Sequence, residues 1–418
     1  MTGRRGNIVL IATLDTKGNE ALYIKKKILS KGWDVIVIDA GIFESKCELK
    51  PEITKEEVAG SVGETIESLR SRGRGYAVDA MAEGTARLLS DLCKNGLVSG
   101  VISIGGGGGT KIGTRAMKEL PFGIPKFMVS TIASGKHRFG DYVGTKDIVM
   151  MHSVVDVVGE NSLVKKVFDN AVGAICGMAE EYEKVKFIPK EQGKKRVAIS
   201  MYGNTTPCVM IIKDFFERKN CEVICFHSNG VGGRCMEDLI LDGEIDIVVD
   251  VTTHEILDEI AGGIHTAGKD RLTAASKKSI PQLVVPGSLD FITCGPLDTL
   301  NEKLRSRRYV RHNELITLVE PTLDEVEKAT KLLVERVNES RGPVMVGLPL
   351  EGLSMVGSPG GGLYNKEIVE TIISLIEKGI REDIPVVKVD ATINDSKFAE
   401  KIAEEFWKLL KKENVVTE

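Results

Sequence analysis

The chain has 418 residues, of which 42% are hydrophobic and 28% charged, and its formal net charge is −4. That balance excludes a broad basic surface for nucleic acid or acidic membrane, and the length predicts two domains, each large enough to bury its own core. No apolar stretch reaches the length of a membrane span, and the run after Arg4 and Arg5 is one strand long, so a cytoplasmic protein without a signal peptide or membrane partner is expected.

Residues 7–13 (NIVLIAT) read as the first strand, running into Leu14-Asp15-Thr16-Lys17-Gly18 and an amphipathic helix over 19–30. A second strand covers 35–39, with Gly41 just beyond, and this βαβ unit is expected to be parallel and right-handed. Helical patterning follows over 50–72 and 76–94, separated by Arg72-Gly73-Arg74-Gly75. Residues 98–104 form an apolar, β-branched run that reads as a buried parallel strand. Five consecutive glycines follow at once: Gly105, Gly106, Gly107, Gly108 and Gly109. Thr110 then opens a segment of helical character over 111–120. A strand, a glycine turn and a helix start can surround an anion with backbone N–H groups. Glycine permits φ > 0 and close approach, and the helix start adds partial positive charge.

Two fingerprints fail at this loop. Thr110 and Ile112 flank Lys111 where the Walker A pattern needs Gly and Ser or Thr, and Thr110 occupies the third glycine position of G-x-G-x-x-G. The loop therefore reads as a phosphate site of neither standard type. A strand over 125–130 leads into Thr131-Ile132-Ala133-Ser134-Gly135-Lys136-His137, followed by a strand over 147–151 and a long helix over 162–184. The polar segment 186–195 marks a boundary between domains over 1–187 and 196–418.

The second half repeats this outline. Strands over 197–201, 222–226 and 245–251 match the first three, and residues 271–287 echo 115–130. Residues 314–319 correspond to the strand at 147–151, and strands over 344–348 and 386–390 alternate with helices over 323–338, 365–378 and 395–412. The fold class expected is α/β, with two Rossmann-like doubly wound parallel-sheet domains related by internal duplication. The eight cysteines contain no CxxC pair and read as reduced, mostly buried thiols.

In open α/β sheets ligands sit outside the carboxyl ends of the strands. In the first domain the residues expected there are Thr13, Asp15, Thr16, Lys17, Asp39, Gly41, Gly106–Thr110, Lys111, Thr131, Ser134 and Gly135. Lys17 and Lys111 are candidate phosphate counter-charges, while Asp15 and Asp39 suit magnesium or a ribose hydroxyl. A helix cap is the competing role for Asp15 and Thr16. In the second domain the candidates for a second ligand are His227, Gly232, Gly233, Arg234, Glu237 and His254. The segment from His254 to Asp258 resembles a zincin helix, but Asp258 stands where the second histidine belongs, so no zinc is expected there. His227, His254, His265 and His312 are candidates for acid–base work or for structural hydrogen bonding. Residues 351–362, a long glycine-rich loop, read as a lid or a solvated linker.

Thr13-Leu14-Asp15-Thr16-Lys17, Gly105–Thr110, the stretches 125–131 and 147–151, Thr205-Thr206-Pro207, Phe226-His227 with Gly230 to Glu237, His312-Asn313 and Ile393-Asn394-Asp395 span essentially the whole chain. Together they resemble a family of largely uncharacterised microbial proteins related to the ATP-binding N-terminal region of a tomato mosaic virus resistance protein. The resemblance implies two Rossmann-like domains and ATP as ligand, and it supplies no reaction. Antiviral action stays with one plant protein, and the plant members of the family carry a further C-terminal TIM-barrel-type domain. The family's Phe-His-Ala-Thr-Gly is Phe226-His227-Ser228-Asn229-Gly230 here, without the threonine hydroxyl. The expectation is a homo-oligomeric ATP-binding protein, acting as an enzyme on a small metabolite held between its domains. A non-catalytic, nucleotide-responsive module is the alternative, and a nicotinamide or flavin oxidoreductase is disfavoured by the missing dinucleotide fingerprint.

Overall fold

A computed structural model of the chain describes residues 6–135, 139–159, 161–185 and 193–416, so Lys136, His137 and most of the segment 186–195 lie outside the described residues. The chain divides into two compact units, Met1–Pro189 and Lys190–Glu418.

The first unit carries strands β1 (Asn7–Ala12), β2 (Val35–Asp39), β3 (Val98–Gly105), β4 (Lys126–Ser130) and β5 (Ile148–His152), in the order β2-β1-β3-β4-β5. Every pairing is parallel. Successive side chains of a strand point to opposite faces. Ile8, Leu10 and Ala12 accordingly join one core with helices Leu14–Ser30 and Ser162–Val185, while Val9 and Ile11 join another with Arg74–Lys94 and Gly107–Met117. Both faces of the sheet are covered, as a parallel sheet requires.

Three local expectations shift. The first helix begins at Leu14 and kinks at Lys17, which has φ −129° and ψ 22°, so Asp15, Thr16 and Lys17 occupy its first turn. The segment 50–72 breaks into Lys55–Gly60 and Ile66–Ser71, because Thr54 and Thr65 each accept a backbone N–H from the third residue beyond and so start two separate helices. The glycine run is divided between the end of β3 and the first turn of Gly107–Met117. Glycine is a weak helix former, but burial of Ile112, Ala116 and Met117 against the sheet supplies the stabilisation that propensity lacks.

The second unit has β6 (Arg196–Met201), β7 (Glu222–His227), β8 (Ile247–Thr252), β9 (Gln282–Gly287), β10 (Ile292–Cys294), β11 (Tyr309–Arg311), β12 (Thr317–Val319), β13 (Val344–Pro349) and β14 (Val386–Val389). A six-stranded parallel sheet runs β14-β13-β9-β8-β6-β7. Val197, Ile199, Ile247 and Val249 face helices Thr206–Arg218 and Ser396–Lys412, while Ala198 and Val248 face Val231–Leu241 on the other side. Both units are α/β with parallel sheets, consistent with Rossmann-like domains.

One strand assignment is corrected. Thr317–Val319, expected in the parallel sheet as the counterpart of 147–151, belongs instead to an antiparallel sheet ordered β10-β12-β11. The reason is local. Asn313 Oδ1 accepts the backbone N–H groups of Leu315 (2.8 Å) and Ile316 (2.9 Å), closing a hairpin between β11 and β12. Chain reversal of this kind joins antiparallel strands only. The position beside β9 is taken by β13. Among the described residues no helix is long and apolar enough to cross a membrane, and all eight cysteines are free thiols.

Candidate functional site

A cavity of about 590 Å³ opens at the carboxyl ends of β1, β2 and β3 in the first unit. Its floor is the glycine run Gly105–Gly109, and Thr13, Asp15, Thr16 and Lys17 line one side. None of the five glycines takes a positive φ. The value of their bareness is therefore space rather than backbone freedom. A Cβ on Gly105 would lie 2.7 Å from Gly109 Cα, and one on Gly109 would lie 3.1 Å from Ile104 O, so packing explains these two. Among the described residues a Cβ at Gly107 would meet nothing within 4 Å, and at Gly106 and Gly108 it would touch Thr131 Oγ1 (3.6 Å) and Val78 Cγ2 (3.7 Å). Packing does not explain these three.

The acidic candidates divide by role. Asp39 is buried, and its Oδ1 accepts the N–H groups of Leu14 (3.0 Å) and Gly41 (2.9 Å), which caps the first helix from outside and ties β1 to β2. Burial raises its pKa despite these two bonds. It is corrected from a ribose or magnesium ligand to a structural tie, because its Oδ1 is held by backbone N–H groups and the residue does not line the cavity. Asp15 lines the cavity, and its Oδ2 holds Ile42 and Phe43 N–H, both at 3.0 Å. Gly41 must be bare because a Cβ there would lie 2.9 Å from the Asp15 carboxyl carbon.

Lys17 lines the cavity and donates to the Val157 carbonyl, whereas Lys111 is corrected: it pairs with Asp79 and lines a separate depression of about 380 Å³. Lys111 follows Gly107 by one helical turn, and its ammonium is engaged by Asp79 rather than by the lining of the first cavity. Thr110 is buried against Ser130 (Oγ1 to Oγ, 2.7 Å), fixing the helix start to the end of β4. Thr131 stands beside Gly106, while Ser134 meets His152 Nε2 at 3.3 Å and, like Gly135, does not line the cavity.

The cavity also draws on residues that sequence reasoning passed over. Arg70, Arg74 and Phe43 line it, with the Arg70 guanidinium 5.4 Å from the Phe43 ring centre. The Arg74 guanidinium makes no hydrogen bond or ion pair with any described residue. Gly73, at φ +88°, sets the turn that opens helix Arg74–Lys94 and brings Arg74 to the cavity. Two arginines around a glycine at a helix start were the available signal. Leu69, Ala77, Val78, Met81 and Ile112 complete an apolar wall.

The candidates of the second unit cluster differently. Arg271 is buried and donates to Asp250 (2.5 and 2.7 Å), Glu255 (2.6 Å) and Glu237 (3.2 Å). Glu237 also accepts the N–H groups of Leu272 (2.6 Å) and Ala274 (2.7 Å), and burial raises its pKa. A Cβ on Gly233 would collide with Glu255, and one on Gly232 with the His227 carbonyl. Gly232, Gly233 and Glu237, expected to face a ligand, are thus corrected to packing and charge-pairing roles: the polar motif folds inward onto Arg271. His227 and Arg234 remain exposed, with Arg234 Nε donating to Gly230 O at 3.3 Å.

Beside this network Tyr202 is ringed by His227 (5.5 Å between ring centres), His254 (4.7 Å), His265 (5.6 Å) and Phe291 (6.2 Å). Burial holds His254 well below the ordinary histidine pKa and lowers His265 to about 4, so both rings are neutral. Burial raises Asp258 to about 8, although its two oxygens accept Thr293 N–H (2.9 Å) and His265 N–H (3.0 Å). The loop 351–362 is neither lid nor solvated linker: Leu353 and Ser354 are fully buried, Ser354 Oγ donates to Asp290 (3.0 Å), and Asn204 O accepts Met355 N–H (3.1 Å).

Residues 6–184 match the model of the uncharacterised protein family UPF0261 N-terminal domain, and residues 194–410 match its C-terminal domain. A UPF0261 protein of Clostridium tetani is 40% identical over 97% of this chain and 99% of its own length. Another from Mesorhizobium japonicum is 35% identical over 95% and 97%, respectively. The tomato (Solanum lycopersicum) ToMV resistance protein Tm-1(GCR237) is 32% identical over 96% of this chain, which spans 55% of the tomato protein. The glycine floor and the histidine cluster therefore fall in the two matched domains of one architecture, and the chain belongs to the UPF0261 family.

Proposed function

We propose that the first unit binds ATP, with the phosphates against the N-terminus of helix Gly107–Met117 and the base against the apolar wall. The observation that carries this reading is the bareness of Gly106, Gly107 and Gly108, which no contact among the described residues requires. Backbone N–H groups at a helix start favour an anion, and a side chain would cover them. Lys17, Arg70 and Arg74 bring cationic groups to the same cavity, and its volume of about 590 Å³ falls within the range of about 300–1,000 Å³ common for small-molecule sites. Asp15 Oδ1, which accepts no hydrogen bond from the described residues, is the oxygen offered to a magnesium ion bridging the phosphates.

The wider reading is an enzyme that uses ATP on a small metabolite. Exposed His227 at the end of β7 and Arg234 in the first turn of helix Val231–Leu241 are the groups of the second unit offered to that metabolite. The order β2-β1-β3-β4 recurs as β7-β6-β8-β9, which supports descent of the units from one duplicated ancestor. Phosphate release stimulated by a metabolite distinguishes an enzyme from a nucleotide-responsive module.

The binding test is thermodynamic. At about a hundred times its dissociation constant ATP stabilises the wild type by about 2.7 kcal/mol. Gly107→Val folds, since a Cβ there meets no atom of the described residues within 4 Å, yet loses that shift. A Gly107→Val protein that keeps the full ATP shift overturns the assignment.

A further inference from the structure

We propose that His254, Asp258 and His265 bind a divalent first-row transition-metal ion within the second unit. The inference is independent of the nucleotide reading, which concerns the other unit.

The donors converge because of how the chain turns. His254 and Asp258 are four residues apart on helix His254–Ala261, so they share one face. Gly262 ends the helix in the left-handed region at φ +76°, and Gly263 must be bare because a Cβ would collide with the Asp258 carboxylate. The two glycines fold the chain back over that carboxylate, whose Oδ2 accepts His265 N–H at 3.0 Å. His265 thereby supplies the second imidazole that the helix itself lacks. One donor atom from each of the three residues lies within 4.8 Å of the others, and all three residues are buried. Small rotations of the side chains bring the donors onto a common ion at ordinary bond lengths of about 2.0–2.2 Å.

Two further observations point to a cation. His254 is wholly buried and among the described residues its Nδ1 has no hydrogen-bond partner, while its Nε2 faces His265 Nδ1 at 3.4 Å. Two neutral imidazoles so placed share at most one proton, whereas a metal ion takes a lone pair from each. The surroundings also hold more carboxyl groups than cationic side chains. Asp250, Glu237 and Glu255 share the guanidinium of Arg271, and Asp258 adds a further carboxylate one helical turn from His254. Two imidazoles and one carboxylate suit zinc(II), iron(II) or cobalt(II) rather than magnesium or calcium, which prefer all-oxygen shells. Three protein donors leave coordination positions for water or an oxygen-bearing small molecule.

The experiment uses the full chain, stripped with EDTA and titrated with Co²⁺. The expected result is a visible d–d band that saturates at a single equivalent, is displaced by Zn²⁺, and accompanies a rise in Tm. His265→Ala and Asp258→Asn each lower Co²⁺ affinity by about tenfold or more, while His312→Ala, in the exposed β11–β12 turn, leaves it unchanged. A wild type without the band, or a His265→Ala variant that binds Co²⁺ as the wild type does, overturns the proposal. Should a variant fail to fold, long-range ¹H–¹⁵N spectra of wild-type imidazoles replace it. Zn²⁺ must shift ring nitrogens of both His254 and His265, and a response confined to other histidines overturns the assignment.

Discussion

The glycine cavity of the first unit and the Arg271 network of the second occupy the same place, the carboxyl edge of a parallel sheet with the same order of its first four strands. Both are built on glycine-rich helix starts. In the first, the glycines Gly106 to Gly108 have room for a Cβ among the described residues, and the cavity wall carries Arg74, whose guanidinium pairs with no described residue. In the second, Gly232 and Gly233 are bare because the His227 carbonyl and Glu255 press on them, and the cation there is already matched by carboxylates. A glycine turn at a sheet edge thus has two distinct uses. One leaves room for a ligand, and the other lets the protein pack upon itself. Only the distance from each missing side chain to the nearest protein atom tells them apart.

The contrast is broken most directly at Arg271. If the second edge is a filled charge network, Arg271→Ala strands three buried carboxylates and costs about 3–5 kcal/mol or more of folding stability, read from the midpoint of denaturant unfolding. A variant as stable as the wild type shows that water reaches those carboxylates, and the edge is then open like the first.

Asp290 sharpens the same point through pH. Burial raises its pKa to about 7, far above the usual carboxylate range. The folded state therefore keeps a proton that the unfolded state has lost between about pH 4 and pH 7. Stability contributed by this group is full below about pH 4 and declines as pH rises through 7, by roughly 3–4 kcal/mol in all. Asp290→Asn keeps an oxygen for Ser354, flattens the decline and is more stable than the wild type at about pH 8. Parallel stability–pH curves for the two proteins rule out the buried, neutral carboxyl.

The first edge is probed by ligand affinity rather than stability. Arg74→Ala leaves folding almost unchanged, since the guanidinium pairs with no described residue, but weakens ATP binding by about 1.5–3 kcal/mol, the range for a hydrogen bond to a charged group. Lys111→Ala has the smallest effect. Its exposed pairing with Asp79 is worth about 0–1 kcal/mol of stability, and ATP affinity measured by calorimetry stays within about twofold of wild type. Equal losses of affinity in the two variants relocate the phosphates toward Lys111.

Much of this architecture is legible in residue order. The runs of β1, β3 and β8 are rich in Val and Ile and carry few charges, so each announces a strand buried on both faces, and helix-period segments between them require parallel crossovers. The glycine floor, Asp15 and Lys17 are visible for the same reason: they follow strand ends whose positions the pattern sets. Legibility stops where a role depends on what lies across the fold. Lys111 sits two residues after the last glycine yet pairs with Asp79, thirty-two residues away, because helix Arg74–Lys94 packs beside its own helix and brings that carboxylate within reach. Arg74 reads as a separator and reaches the cavity only through the turn at Gly73.

His254 and Asp258 announce a helix face, while His265 joins them only because Gly262 and Gly263 reverse the chain over the carboxylate. Asn313 likewise closes a hairpin that places 317–319 in a second sheet. The sequence by itself determined the alternation of strands and helices, because periodicity and burial act over a few neighbouring residues. Only the tertiary structure decided which glycines face emptiness, which charges are already paired and which donors meet, because those outcomes depend on atoms brought together from distant segments by the order of the sheet.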